Sequence, residues 1–225
     1  SGVDLELTQC SACGLVQTTN HPVHYFREVI RASGISAEMI SYRRDQFREF
    51  IREYGLFGKS LIEVGCGAGE YLQILNELNP RCYGIEHDES SLVVARGKDL
   101  NVFPMFLETG AETIPEGPFD GFFFLNFLEH IPDPTAMFSG IRNNLVEQAI
   151  GIVEVPNLDM IMRESLFSEF VTDHLFYFSK ETLVASLMMN GFEVLKCEET
   201  WHTYTLTAIV RKRPSLKTIG VDAFC

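Results

Sequence analysis

A short apolar run that ends in three alternating glycines constrains this chain more than any other stretch of its sequence. Leu61–Val64 is followed at alternate positions by Gly65, Gly67 and Gly69. Such a run predicts a strand that is buried on both faces of a parallel sheet. Residues 71–78 then place apolar side chains at helical spacing. The order of strand, glycine loop and helix predicts a ligand at the helix N-terminus, where free N–H groups point outward.

The glycine spacing and one acid indicate which ligand this loop suits. A dinucleotide-binding loop reads G-x-G-x-x-G, whereas Gly69 comes one residue early for that pattern. Glu63, at the end of the strand, would repel a pyrophosphate and attract a cation. S-adenosylmethionine (SAM) carries a sulfonium and an ammonium group and no phosphate. Glu63-x-Gly65-x-Gly67-x-Gly69 resembles the first motif of the class I SAM-dependent methyltransferases, which read E/D-x-G-x-G-x-G.

A second acid lies at the end of the next predicted strand. That strand finishes at Glu86, and His87 follows directly. In doubly wound sheets an acid at this place hydrogen-bonds the ribose hydroxyls of the ligand. The second motif of the methyltransferase family is similar, so the resemblance implies that Glu86 binds the ribose and that His87 lies beside the adenosine.

The same resemblance implies further cofactor contacts. Cys66 belongs to the glycine loop, and Gly110 and Ala111 fall where the family contacts the adenine. Many relatives carry an acid at the place of Gly110, so the alternatives for the adenine contact here are the backbone, Glu112 and Glu108. Asn126 opens a segment similar to the family's V-L-E-H-I-x-D-P, and the resemblance implies that it faces the methionine part of SAM. His130, in the same segment, is interpreted as structural.

The succession of strand and helix patterns predicts a three-layer αβα sandwich of the α/β class. The fourth predicted strand is Phe119–Leu125, and its apolar run Gly121–Leu125 fits a strand at the centre of the sheet. The family resemblance implies a seven-stranded, mostly parallel sheet in the order 3-2-1-4-5-7-6, with strand 7 antiparallel. The predicted organisation is an N-terminal extension over residues 1–35, a SAM-dependent methyltransferase domain over 36–213 and a tail over 214–225.

Size and charge limit the classes of function. The chain has 225 residues, of which 46% are hydrophobic, and a net charge of −13. A surface of this charge repels phosphate backbones, which argues against a nucleic-acid substrate. No uncharged apolar run approaches the length that spans a membrane, and no signal peptide is recognised. We therefore expect a cytoplasmic protein whose partner is a small molecule, and a homodimer is compatible with the sequence.

An N-terminal Cys-x-x-Cys-Gly motif stands apart from these patterns. Cys10 and Cys13 are spaced as in knuckles that present two thiolates to zinc, and His21 and His24 follow after a gap shorter than that of a zinc finger. The stretch resembles the second half of the four-cysteine zinc module that precedes the methyltransferase domain of sugar C-methyltransferases. Half of a four-ligand site binds weakly, so no metal is predicted in this chain.

The pattern of residues 36–57 predicts a helix, and the family resemblance implies that it covers one side of the cofactor. Apolar residues recur there near the helical period. The four arginines between them, Arg43, Arg44, Arg48 and Arg52, are interpreted as a solvated face.

The segment Asp173–Ser179 resembles the E-H-L-x-Y-F-S/T stretch of the sugar C-methyltransferases. The resemblance makes His174 the proposed base, with Asp173 able to orient its ring. Relatives carry a Tyr-His pair just before this segment, where this chain has Val171-Thr172. The preceding residues, 158–172, are many for a plain connection and predict a lid over the substrate.

Methyl transfer from a sulfonium is an in-line displacement, so the protein mainly aligns nucleophile, methyl group and sulfur. A base matters where the acceptor loses a proton, from a hydroxyl or from the carbon beside a ketone. The predicted function is SAM-dependent methyl transfer to a small molecule, such as a sugar or nucleotide-sugar derivative. The alternatives are O- or N-methylation of another metabolite and a non-catalytic SAM-binding protein, because fold does not fix function. An NAD-dependent oxidoreductase is disfavoured by the glycine spacing.

Overall fold

The computed structural model describes residues 4–23 and 35–214. The strands are β1 Leu7–Gln9, β2 Val16–Thr18, β3 Leu61–Val64, β4 Cys82–Glu86, β5 Val102–Pro104, β6 Phe119–Leu125, β7 Leu145–Pro156, β8 Phe176–Tyr177, β9 Phe192–Thr200 and β10 Thr205–Lys212. The helices are α1 Ala37–Glu53, α2 Glu70–Leu78, α3 Glu89–Gly97, α4 Pro134–Asn143, α5 Leu158–Arg163 and α6 Lys180–Met189. Within these ranges no helix is long and apolar enough to cross a bilayer.

Seven strands form the central sheet, in the order β5-β4-β3-β6-β7-β10-β9. The pairs among β5, β4, β3, β6 and β7 are parallel. Strand β10 lies antiparallel between β7 and β9. When the seven strands of this sheet are numbered along the chain from β3 as strand 1, their spatial order is 3-2-1-4-5-7-6, and β10 is strand 7. The predicted order with an antiparallel strand 7 is therefore confirmed.

Strand β6 explains why its apolar run is unbroken. Phe122 and Phe124 belong to the core on one face of the sheet, with α4 and α6. Phe123 belongs to the core on the other face, where its ring lies 5.3 Å from that of Phe47 and 5.5 Å from that of Phe50, both on α1. A strand covered by helices on both faces cannot alternate apolar and polar residues.

One arginine of α1 contradicts the prediction of a solvated arginine face. Arg43 is 1% exposed, and its Nη1 lies 2.5 Å from Oε2 of Glu154, which is fully buried on β7. The same carboxylate accepts hydrogen bonds from Gln46 at 2.6 Å and Thr207 at 2.8 Å. Arg43 precedes Phe47 by about one turn, so it lies on the face of α1 that meets the sheet. Glu154 is the buried partner whose charge compensates that of Arg43 and offsets the cost of burying the guanidinium.

The other three arginines behave as predicted. Each lies on the outer side of α1 and pairs with an exposed acid: Arg44 with Glu77 at 2.7 Å, Arg48 with Asp45 at 2.6 Å, and Arg52 with Glu49 at 3.8 Å.

The N-terminal motif forms a β-hairpin that joins the methyltransferase fold. Strands β1 and β2 are antiparallel, and β2 pairs with β8, with Val16 opposite Tyr177 and Gln17 opposite Phe176. Leu15, in the hairpin loop, is buried in the main core. The hairpin therefore lies against the strand that begins two residues after His174.

The cysteines divide into two groups. Cys66, Cys82 and Cys197 are buried free thiols. Cys10 is disulfide-bonded and Cys13 is an exposed free thiol, so the two do not present a pair of thiolates here. His24, the last residue of the proposed zinc pattern, and the tail beyond Pro214 lie outside the described residues.

Candidate active site

The glycine loop connects β3 to α2 in a left-handed backbone conformation. Gly65, Gly67 and Gly69 have φ values of 67°, 55° and 79°, a region that side-chain-bearing residues rarely adopt. The N–H groups of Gly65 and Cys66 both donate to the carbonyl of Ile85, at 3.0 and 3.1 Å. The loop thus folds back onto the end of β4.

Glu86 ties this loop to the turn after β4. One carboxylate oxygen accepts from the N–H of Gly67 at 2.8 Å. The other accepts from the N–H groups of His87 at 2.6 Å and Asp88 at 2.8 Å. These three hydrogen bonds hold the carboxylate at the carboxyl ends of the strands, where open α/β sheets bind their ligands.

The cleft between these elements is filled by aromatic side chains. Its cavity, of about 10 Å³, is lined by residues that include Gly65, Glu86, His87, Phe106 and Phe127. A Cβ placed on Gly65 would lie 2.5 Å from the ring of Phe127. The ring of Phe127 therefore covers Gly65 at this cleft.

Two polar side chains lie beside the cleft without pointing to solvent. Glu63 is fully buried on β3. Asn126, at the end of β6, has a φ of 51°, and its buried side-chain oxygen accepts no hydrogen bond from the described residues. A buried amide oxygen without a donor is costly, and an ammonium group bound at this edge would satisfy it.

Gly110 and Ala111 lie in the loop after β5, at one side of the cleft. Gly110 packs against α4, where an added Cβ would lie 3.0 Å from Ser139, and Ala111 is exposed. The Glu112 carboxylate accepts hydrogen bonds from Thr109 within the same loop. Desolvation raises the pKa of Glu112, but hydrogen bonds, chiefly from Thr109, lower it to about 2. The assignment of Gly110 and Ala111 to the adenine stays a prediction.

His174 lies against His130, from which it is distant along the chain. The two imidazole rings meet edge to face with centroids 4.7 Å apart. Nδ1 of His130 lies 2.9 Å from the carbonyl oxygen of Asp173, and the Asp173 carboxylate lies 3.7 Å from the same nitrogen. Asp173 therefore orients His130, and its effect on His174 is electrostatic.

The surroundings of His174 keep its ring neutral. Desolvation lowers the pKa of His174, and the charge of Asp173 opposes this only in part. Tyr177 lies on the other side, with ring centroids 5.9 Å apart. Burial raises the pKa of Tyr177 to about 12, and its hydroxyl bonds to the backbone of Val171. Tyr177 is thus a structural support, whereas the neutral imidazole of His174 can accept a proton.

The proposed lid contains regular structure. Residues 158–172 include α5 and a 3₁₀ turn, Phe167–Glu169. Met162 is 57% exposed and Phe167 is 69% exposed, which leaves apolar surface facing outward. The hydroxyl of Tyr204, in the turn before β10, donates to the carboxylate of Glu169 and holds the turn in place.

Two residues of this region were missed by sequence reasoning. Glu129 is 1% exposed beside His130, and the backbone N–H of Leu175 donates to its carbonyl at 2.7 Å. Tyr204 contacts the lid from the turn before β10, next to the carboxyl end of β7. Glu129 belongs to the same sequence segment as His130, whereas only the fold brings Tyr204 to the lid.

Known proteins share the fold and part of the sequence. The methyltransferase domain family matches residues 37–196. A ubiquinone biosynthesis O-methyltransferase of Idiomarina loihiensis is 32% identical over 120 residues, 44% of this chain and 49% of that protein. C-methyltransferase NovU of Streptomyces niveus is 23% identical over 201 residues, 85% of this chain and 47% of that protein. This chain spans about half the length of both curated relatives.

A solved structure shows the same fold over most of the chain. A SAM-dependent methyltransferase from Clostridium acetobutylicum superposes with a TM-score of 0.64 at 15% identity, covering 85% of this chain and 97% of that chain. The strand order of the sheet, the conformation of the glycine loop and the family match all indicate the same family. The chain therefore belongs to the methyltransferase domain family and has the class I fold.

Proposed function

We propose that this protein transfers a methyl group from SAM to a small acceptor that must first lose a proton, with His174 as the base. The observation that carries the proposal is the convergence of two sites at one edge of the sheet. Phe127 covers the glycine loop, and three residues further along the chain His130 contacts His174. The acceptor would lie between them, under the lid.

The chemistry follows from this placement. SAM supplies an electrophilic methyl group on a sulfonium, which is already a good leaving group. The neutral imidazole of His174 would take the acceptor proton, and the resulting oxygen or carbon nucleophile would displace the thioether in line. The carboxylate of Asp173 stabilises the imidazolium that forms.

The acceptor class follows from the need for a base. A hydroxyl or a carbon next to a ketone loses a proton in this way, whereas a neutral amine can attack without prior deprotonation. The two named relatives methylate oxygen and carbon. We therefore favour a hydroxyl or a keto-sugar, including nucleotide-linked ones, over an amine.

Removing the carboxylate of Glu86 tests where the cofactor binds. We expect Glu86→Ala to weaken SAM binding by about 2–4 kcal/mol, because charge-assisted hydrogen bonds contribute about 1.5–3 kcal/mol each before compensation by water. Calorimetric titration with SAM measures the change, and titration with NAD⁺ should show no binding. Unchanged affinity in Glu86→Ala would place the ribose elsewhere, and binding of NAD⁺ would favour the oxidoreductase.

A pair of glycine variants separates backbone strain from crowding of the cleft. Gly65→Ala should weaken SAM by more than tenfold, because its Cβ faces the Phe127 ring and the path of the ligand. Gly58→Ala is the matched control, since Gly58 has a φ of 73° and nothing within 4 Å of an added Cβ. Both variants should lose about 1–2 kcal/mol of stability from left-handed strain. Equal SAM affinity in the two variants would argue against a cofactor over Gly65.

Transfer of label from SAM to a panel of phenols, sugars and nucleotide-linked keto-sugars then tests the activity itself. Label on a hydroxyl or carbon of any member supports the proposal. Label found only on amines would overturn the role of a base.

A further inference from the structure

We propose that Glu129, His130 and His174 form a binding site for a divalent transition-metal ion such as Zn²⁺ or Co²⁺. Each residue offers one ligand atom, and these three atoms all lie within 4.8 Å of one another. The inference goes beyond methyl transfer, because it concerns an ion that the proposed reaction does not use.

The distances suit one ion. Zinc lies about 2.0–2.2 Å from imidazole nitrogen and carboxylate oxygen, so two ligand atoms on the same ion are at most about 4.4 Å apart. Nε2 of His130 already lies 3.8 Å from Oε1 of Glu129. Small side-chain rotations would bring the third atom, from His174, into range.

The hydrogen bonding of His130 prepares it as a ligand. Its Nδ1 faces the carbonyl oxygen of Asp173 at 2.9 Å, so the proton must reside on Nδ1 and the lone pair on Nε2. Metal-binding histidines usually donate their second N–H to a carbonyl or carboxylate in this manner, which fixes both tautomer and ring orientation. Asp173 thus supplies the outer contact that a metal site requires.

Burial and ligand type select the ion. Glu129 and His130 are 1% and 5% exposed, and a cation there offsets the cost of a buried carboxylate. Two imidazoles and one carboxylate favour Zn²⁺, Co²⁺ or Ni²⁺, whereas Mg²⁺ and Ca²⁺ prefer oxygen ligands. Because the ion would take the lone pair of His174, an occupied site leaves that residue unable to act as a base.

Binding is tested on the whole protein without any acceptor. Cys13→Ser serves as the background, because Cys13 is an exposed free thiol that could bind the probe. Titration with Co²⁺, followed by its visible absorption, should show one ion per chain without a thiolate band, and Zn²⁺ should displace it. His174→Ala and Glu129→Gln should each weaken Co²⁺ binding by at least about tenfold, as loss of a metal contact does.

His202→Ala is the control, since His202 is an exposed histidine that lies 3.2 Å from Glu38 and should leave the affinity unchanged. Circular dichroism checks that each variant is folded; His174 is only partly buried, so His174→Ala keeps the test decisive if Glu129→Gln unfolds. Binding of Mg²⁺ in preference to Co²⁺, equal Co²⁺ affinity in wild type and His174→Ala, or no binding at all would overturn the proposal.

Discussion

Replacing Arg43 by methionine should lower the free energy of unfolding by about 3–5 kcal/mol. The substitution removes one partner of a buried ion pair and leaves the other charge without compensation. The charge left behind is that of Glu154, which is fully buried and would keep only Gln46 and Thr207 as hydrogen-bond donors. Desolvation lowers the pKa of Arg43, but the charge of Glu154 and other contacts outweigh this effect and raise the pKa above its ordinary value. The guanidinium is therefore charged in the folded protein. Urea denaturation measures the loss.

The neighbouring residue provides the control. Arg44 forms an ion pair of similar length with Glu77, 2.7 Å, but the two side chains are 38% and 46% exposed. Exposed pairs contribute about 0–1 kcal/mol, so Arg44→Met should have little effect. The double variant Arg43→Met, Glu154→Leu should recover much of the loss, because an apolar pair often replaces a buried ion pair without cost. Similar losses for Arg43→Met and Arg44→Met would show that burial does not decide the effect.

Replacing His174 by asparagine should lower turnover by about 10²–10⁴-fold, the usual contribution of a general base. SAM affinity should not change, because His174 does not line the cofactor cleft. The rate is measured with an acceptor that the label-transfer screen identifies. A chelator is present in all assays, so that loss of the base is not confused with loss of a bound metal.

His202→Asn is the matched control for this experiment, because His202 is exposed and has no role in the proposed mechanism. A turnover of His174→Asn close to that of wild type would remove the base from the mechanism. A fall in both turnover and SAM affinity would instead indicate damage to the cofactor site.

The parts that local sequence determines were predicted well. The bounds of β6 match the predicted strand Phe119–Leu125, because the part of a strand that is buried on both faces, here Gly121–Leu125, needs apolar residues. The left-handed backbone of the glycine loop and the place of Glu86 at the end of β4 also follow from local sequence, because left-handed backbone favours glycine. The cofactor contacts of these residues stay a prediction.

Contacts between distant segments could not be predicted in this way. Arg43 reads as one more arginine of a polar face until Glu154 is known to lie opposite it. His130 reads as structural until the fold places it beside His174. In both cases the deciding partner lies on another element, and single-sequence patterns carry no information about such pairs.

The pairing of β2 with β8 has a consequence for how the protein can vary. A shortened chain that starts at residue 36 would keep the glycine loop, Glu86 and the sheet that carries them. It would leave Phe176 and Tyr177 without the strand that pairs with them, next to His174. Changes in the hairpin can therefore alter the surroundings of His174 while the glycine loop and Glu86 stay unchanged, so these two parts of the chain are free to evolve at different rates.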